Sequence, residues 1–289
     1  MFPTYDMMAP IFNDTNECIK YLINKEVLYK SPKCKKCHSS THQSTKAWRC
    51  NTKGCGWRIS IFNDTIFAKS RLEPTKILRI VYFWLSGCSH STIEKMTNHS
   101  SATISNYLSI FRKSIAISVE DTHEPIGGPG IIVEIDESKF GKRKYHKGKM
   151  VEGVWIVGGV ERTTNCRLFA ERVTKRDEET LLDVIERNVL PGSIIHTDMW
   201  KGYNLISSKL NIIHKTVNHS KNFVNPETGT HTNTIEGTWN GIKIHVPGRA
   251  RHKEKVDNHI SEFIWRRQNQ DKLWDAFIIC LGNTMLEEL

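Results

Sequence analysis

The spacing of apolar positions changes character along the 289 residues, and each change marks a different kind of element. Near the start, Cys18, Ile19, Leu22 and Ile23 recur at helical spacing behind the capping residues Asn13, Asp14 and Thr15. That pattern predicts a short leading helix packed on the module that follows. From about Lys30 to Phe67 apolar residues are too sparse for a core of their own. Between Pro74 and about Ile117 helical spacing returns and fits three helices. The first holds Ile77, Leu78, Ile80, Val81 and Trp84, and the second holds Ile93 and Met96 behind a capping box at Ser91-Thr92-Ile93-Glu94. Asn98-His99-Ser100-Ser101 turns the chain into the third, with Ile104, Tyr107, Leu108 and Phe111. The Gly and Pro content of Asp121–Gly130 defeats helix and strand alike and predicts a linker.

Beyond the linker the pattern is mixed. Strands are expected at Ile131–Asp136, Val151–Glu161, Cys166–Val173, Ser193–Thr197 and Ile212–Val217, with helices at Asp177–Asn188 and Lys201–Lys209 and a last one around Glu236. Three strands, helix, strand, helix, strand, helix is the order of a ribonuclease-H-like α/β domain, whose first strand, fourth strand and later helix meet at one edge. The expected division is therefore a leading helix at 1–29, a ribbon at 30–70, a helix-turn-helix-like module at 71–120, a linker at 121–130 and the ribonuclease-H-like domain at 131–289. In the helical module the third helix would present Thr103, Asn106 and Lys113 to a DNA groove. A bundle that merely connects domains has the same periodicity.

Cysteines and charge add chemistry to this outline. Cys34-Lys35-Lys36-Cys37 and Cys50-Asn51-Thr52-Lys53-Gly54-Cys55 form two knuckle-like pairs in a stretch without a core, the donor set for one structural zinc, with Trp48 and Trp57 as cover and His38 and His42 as substitute ligands. Cys18, Cys88, Cys166 and Cys280 are scattered and read as packing residues. Lys plus Arg exceed Asp plus Glu, 41 against 31, for a net charge of +10, and much of the excess falls in Lys139–Lys149. A polyanionic partner follows, with Lys142, Arg143, Lys144 and Lys147 as candidate phosphate contacts. The first residues lack a basic segment followed by an apolar core, and no apolar run is long enough to span a bilayer. The expectation is an intracellular protein with no membrane partner.

Three acidic neighbourhoods remain: Ile135-Asp136-Glu137, Thr197-Asp198-Met199 and Ile235-Glu236-Gly237. The first two end expected strands, and the third lies on the last helix, where Asn240 and Lys243 share the polar face of Glu236. Carboxylates gathered in this way repel one another unless a hard divalent cation such as Mg²⁺ joins them. Around the first strand, Glu134 and Glu137 are alternatives to Asp136; strand alternation puts Glu134 on the face of Asp136 and Glu137 on the other.

These motifs, with His231-Thr232-Asn233-Thr234 before Glu236, Trp200-Lys201-Gly202-Tyr203 after Asp198, and Glu262-Phe263-Ile264-Trp265-Arg266, resemble the transposase domain of Merlin elements and their bacterial insertion-sequence relatives. The cysteine ribbon, Asp64-Thr65-Ile66-Phe67 and the helices after it are similar to the same family's front end, so the resemblance covers nearly the whole chain. It implies a DDE transposase with Asp136, Asp198 and Glu236 as metal ligands, two Mg²⁺ or Mn²⁺ ions per site, and cleavage at element ends followed by strand transfer into target DNA. The implied partners are double-stranded DNA and further copies of the chain assembled on it. The implied location is the nucleus in a eukaryotic host and the cytoplasm otherwise. Two other readings share these features: a domesticated transposase acting as a sequence-specific DNA-binding protein, and a ribonuclease-H-like nuclease without strand transfer.

Overall fold

The computed structural model describes residues 1–68, 70–141, 153–218, 224–285 and 287. They divide into two compact units, Met1–Asp121 with Asn269–Leu289, and Thr122–Gln268.

The first unit begins with two helices where one was expected, α1 (Tyr5–Asn13) and α2 (Thr15–Asn24). Thr4 caps α1, and Asp14 ends it and caps α2 by accepting from the amides of Asn16 and Glu17. A three-stranded antiparallel sheet follows, β1 (Thr41–Ser44), β2 (Ala47–Cys50) and β3 (Arg58–Ser60). The expected three helices are present as α3 (Pro74–Leu85), α4 (His90–Thr97) and α5 (Ser101–Asp121). Ile77, Leu78, Ile80, Val81, Tyr82, Phe83, Trp84 and Leu85 are all buried, so α3 is enclosed on every side and is the axis of the unit. The cap of α4 lies two residues ahead of the predicted box: Ser89 accepts from the Thr92 amide, while Glu94 pairs with His90 at 2.6 Å. Asn98 ends α4 in the left-handed conformation, which asparagine tolerates, and Ser100 then accepts from the Thr103 amide at the start of α5.

The second unit departs from the expected linker at once. Ile126–Gly127 forms a two-residue strand, β4, that the Gly and Pro content had argued against; it later pairs in parallel with another. There follow β5 (Ile132–Phe140), β6 (Val154–Glu161), β7 (Leu168–Val173), α6 (Glu178–Asn188), β8 (Val189–Leu190, the partner of β4), β9 (Ile194–Asp198), a 3₁₀ turn at Lys201–Tyr203, α7 (Ile206–Leu210), β10 (Ile213–Val217), α8 (Asn233–His245) and α9 (Val256–Gln268). The main sheet has the order β10-β9-β5-β6-β7, with β5, β6 and β7 antiparallel and β5, β9 and β10 parallel. This is the ribonuclease-H-like arrangement. One face of the sheet packs Val133, Ile135, Val157 and Phe169 against Leu181, Val184 and Ile185 of α6. The other face carries α8 and α9.

The chain ends in α10 (Leu273–Asn283), and here the expected boundary moves. The catalytic domain was expected to run to Leu289, whereas the compact unit closes at Gln268 and α10 belongs to the first unit. Phe277 of α10 meets Trp84 of α3 at 5.3 Å and Phe111 of α5 at 5.4 Å, and those two rings are 5.5 Å apart. An aromatic triangle thus ties three helices together. Among the described residues no helix is long and apolar enough to cross a membrane.

Candidate functional site

The acidic edge is built by alternation along β5. Its even-numbered residues Glu134 and Asp136 face α8, and Glu137 faces the opposite side. Glu134 is fully buried and committed. It accepts from the Thr234 amide at 2.8 Å, the Ile235 amide at 2.9 Å and the Thr234 hydroxyl at 2.8 Å, and it pairs with Arg162. Arg162 also donates to the carbonyl of His231 at 2.7 Å. A carboxylate with so many donors serves as the cap of α8, where the positive end of the helix favours it, and has little capacity left for a cation. Glu134 is thereby set aside as an alternative to Asp136.

Two residues further along β5, Asp136 accepts from the indole Nε1 of Trp239 at 3.0 Å. Thr234, Ile235 and Trp239 therefore set the register of α8 on β5, and Glu236 lies on the helix between those anchors. The indole reaches this far because Asp136 pairs across the sheet with Gly158, where an added Cβ would stand 2.7 Å from the Trp239 ring. Trp239 reads from the sequence as an apolar helix position. Its contact with a candidate metal ligand shows only in three dimensions.

Asp198 ends β9, the parallel neighbour of β5, and accepts from the Trp200 amide at 2.9 Å. Burial, then the neighbouring Glu137 and Asp198, push the Asp136 carboxyl from 3.8 to about 7. Burial also raises Glu137, against the pull of Tyr203 and Arg176. On its own face of the sheet Glu137 accepts a short hydrogen bond from the buried Tyr203 hydroxyl and pairs with Arg176 at 3.2 Å. The guanidinium of Arg176 lies 4.7 Å from the Trp155 ring and 4.1 Å from the Trp200 ring, a cation held between two indoles.

The strand expected to end at Asp136 runs on to Phe140, so Asp136 lies in the middle of β5, beside the end of β9 that holds Asp198, and Glu236 is exposed on the first turn of α8, where Thr232 donates to it at 3.3 Å. The three carboxylates are more widely spread than a closed ligand set: among the described residues the donor groups within 4.8 Å of one another are Cys34, Cys37, Cys50 and Cys55, and His245, His259 and Glu262. Asn240 is exposed, and the Lys243 ammonium sits 5.9 Å from the Phe140 ring. Lys142, Arg143, Lys144 and Lys147 lie outside the described residues. Thr103 is half-buried on α5, and Asn106 and Lys113 are exposed.

In the ribbon, Cys34 and Cys55 sulfurs are 3.6 Å apart and Cys37 and Cys50 sulfurs 3.4 Å apart. For Zn–S bonds of about 2.3 Å a tetrahedral site needs sulfurs roughly 3.8 Å apart, so this spacing suits zinc. Each knuckle turns an amide onto its first sulfur, Lys36 to Cys34 at 3.4 Å and Thr52 to Cys50 at 3.3 Å. The longer second knuckle is accommodated by Gly54 and Gly56, both at positive φ. Hydrogen bonds from Ser39, then Thr52 and Cys50, draw the Cys37 thiol down to about 5. His42 is engaged with Asn51 at 2.6 Å and stands outside the cluster.

A ribonuclease-H-like sheet with acidic groups on two neighbouring parallel strands defines the class of domain. Residues 118–268 match the ISXO2-like transposase domain, and the chain belongs to that family of transposases. An uncharacterized transposase-like protein of Haemophilus influenzae is 29% identical over 107 residues, which span 37% of this chain and 85% of that protein. Among solved structures, the catalytic core domain of BIV integrase superposes with a TM-score of 0.34 at 14% identity, covering 49% of this chain and 84% of that one. A pre-cleavage Mos1 transpososome gives 0.21 at 8% identity over 72% and 79% of the two chains. Both superpositions are loose, so the fold assignment rests on strand order and direction.

Proposed function

We propose that the chain is a DDE transposase that cleaves DNA at element ends and transfers the freed strand into target DNA, with Asp136, Asp198 and Glu236 as its metal ligands. The observation that supports this reading is the docking of α8 on β5 through Thr234, Ile235 and Trp239, the last on Asp136 itself, since Glu236 belongs to the same first turn of that helix. Magnesium or manganese bound there would activate the attacking oxygen and stabilise the leaving one. The chain's own residues do the rest: Trp239 orients Asp136, the Trp200 amide orients Asp198, and Glu134 with Arg162 anchors the helix that carries Glu236. Lys243 and Asn240, further along the polar face of α8, would hold phosphate oxygens. The resemblance of the motifs around Asp136, Asp198 and Glu236 supports a relationship to Merlin-type elements within the broader family, and the partners proposed with it are double-stranded DNA and further copies of the chain. A cleavage and strand-transfer assay on the flanking genomic ends tests the reading; Mg²⁺-dependent cleavage without joining would reduce it to a nuclease.

The ribbon is proposed to hold one structural zinc at Cys34, Cys37, Cys50 and Cys55, supported by the convergence of the four sulfurs. Purified protein is expected to carry one thiolate-bound zinc per chain, and Cys34→Ser or Cys50→Ser to unfold β1–β3 locally. Elemental analysis without a thiolate-bound equivalent would count against it.

DNA recognition is proposed to divide between the basic segment after β5 and helix α5. Neutralising Lys142, Arg143, Lys144 and Lys147 together should weaken binding to every sequence and flatten its salt dependence by about one unit of slope per lost phosphate contact. Replacing Thr103 and Asn106 should instead lower preference for the element's own ends while leaving nonspecific binding nearly unchanged. Competition binding at several salt concentrations distinguishes the two. Loss of end preference in the first variant but not the second would reverse the roles.

A further inference from the structure

Away from the acidic edge, α8 and α9 carry a second set of ligating side chains. His245 closes α8, and His259 and Glu262 stand one turn apart on α9; one donor atom from each lies within 4.8 Å of the other two. His245 Nε2 is 3.5 Å from Glu262 Oε2. Ligands around a tetrahedral zinc with bonds of about 2.0–2.1 Å are separated by roughly 3.4 Å, so this pair already has the required spacing. His245 Nε2 is buried without a hydrogen bond, its carboxylate neighbour Glu262 pairing with it only when the imidazole is protonated, and a metal between the two would satisfy both. Glu262, only 2% exposed, uses its other oxygen to accept from Arg266 Nε at 2.8 Å, which orients the carboxylate as an outer partner orients a metal ligand.

We propose that His245, His259 and Glu262 form a metal site separate from both the ribbon and the acidic edge. It takes one divalent transition ion, with zinc the best fit, since two imidazoles and one carboxylate suit zinc and disfavour magnesium. Bound there, the ion links the end of α8 to α9. Arg251 already fixes that end by donating to the Val246 carbonyl at 3.0 Å and to the Lys243 carbonyl. Neither the three ligands nor their spacing depend on any catalytic role for Glu236.

Cobalt titration of full-length, zinc-free protein tests the site, because thiolate ligands give an intense charge-transfer band that imidazole and carboxylate do not. In an Asp136→Asn, Asp198→Asn background, which strips ligands from the acidic edge, the expected result is one equivalent with that band and one further equivalent without it, the latter lost on adding His245→Asn or Glu262→Gln. A band-less equivalent in that background that survives both His245→Asn and Glu262→Gln, or its absence before they are added, would overturn the site. Should those variants fold poorly, the cobalt-loaded wild type decides: imidazole N–H resonances shifted far outside the diamagnetic range support the proposal, and their absence refutes it.

Discussion

Replacing Asp136 by asparagine is expected to abolish Mg²⁺-dependent cleavage and, in the same protein without metal, to raise the melting temperature. The first effect follows from removing a ligand charge without removing bulk, and Asp198→Asn and Glu236→Gln should share it while DNA binding is retained. The second follows from the raised carboxyl. An aspartate that titrates at about 7 in the folded protein and near 4 in the unfolded chain penalises folding progressively as pH climbs between those values. At full extent the penalty is on the order of 4 kcal/mol, and it is absent at pH below about 4. The amide of the Asp136→Asn variant carries none of it, so calorimetry without divalent ions should show a variant several degrees more stable at pH 8 and no more stable near pH 4. Equal stability of the two proteins at pH 8 would contradict the burial argument, and full cleavage activity in any of the three variants would remove that residue from the triad.

Substitution of Glu134 by alanine is expected to be the most damaging single change in the second unit. It strips the amides of Thr234 and Ile235 of their acceptor and leaves Arg162 without its carboxylate partner. Losing one member of a buried, hydrogen-bonded ion pair typically costs about 3–5 kcal/mol. Glu134→Gln, which keeps an acceptor oxygen for the helix amides, should be intermediate in chemical denaturation. Activity should fall with stability in both, and a Glu134→Ala protein that unfolded at the wild-type denaturant concentration while losing activity would identify Glu134 as a ligand instead.

The elements that the sequence makes legible are those whose own residues decide them. The strands β5, β6, β7, β9 and β10 were all expected, because alternation and apolar runs are local signals. The two-residue strands β4 and β8 were not, since their pairing depends on partners more than sixty residues apart. Helix α1 was missed because Pro10 lies within it, and α10 was assigned to the wrong neighbour because a helix apolar on nearly every side does not say what it packs against. At the site, ordered motifs pointed to Asp136, Asp198 and Glu236, but the sequence could not separate Glu134 from a ligand. The separation comes from α8, whose amides consume Glu134, and α8 approaches β5 from a hundred residues away. The Arg176 sandwich and the His245, His259 and Glu262 group were invisible as groups, because Trp200 and Glu262 stand in recognisable motifs whose partners come from other elements.

The return of α10 to the first unit has a consequence for synthesis. The ribosome delivers α1 to α5 early, yet the ring that completes their aromatic triangle, Phe277, emerges only after the whole of Thr122–Gln268 has been made. The later-encoded unit is thus the earlier one able to close its core during translation, while the helices ahead of it wait with Trp84 and Phe111 uncovered. A nascent chain in that interval exposes apolar surface of the kind that chaperones bind and aggregation exploits.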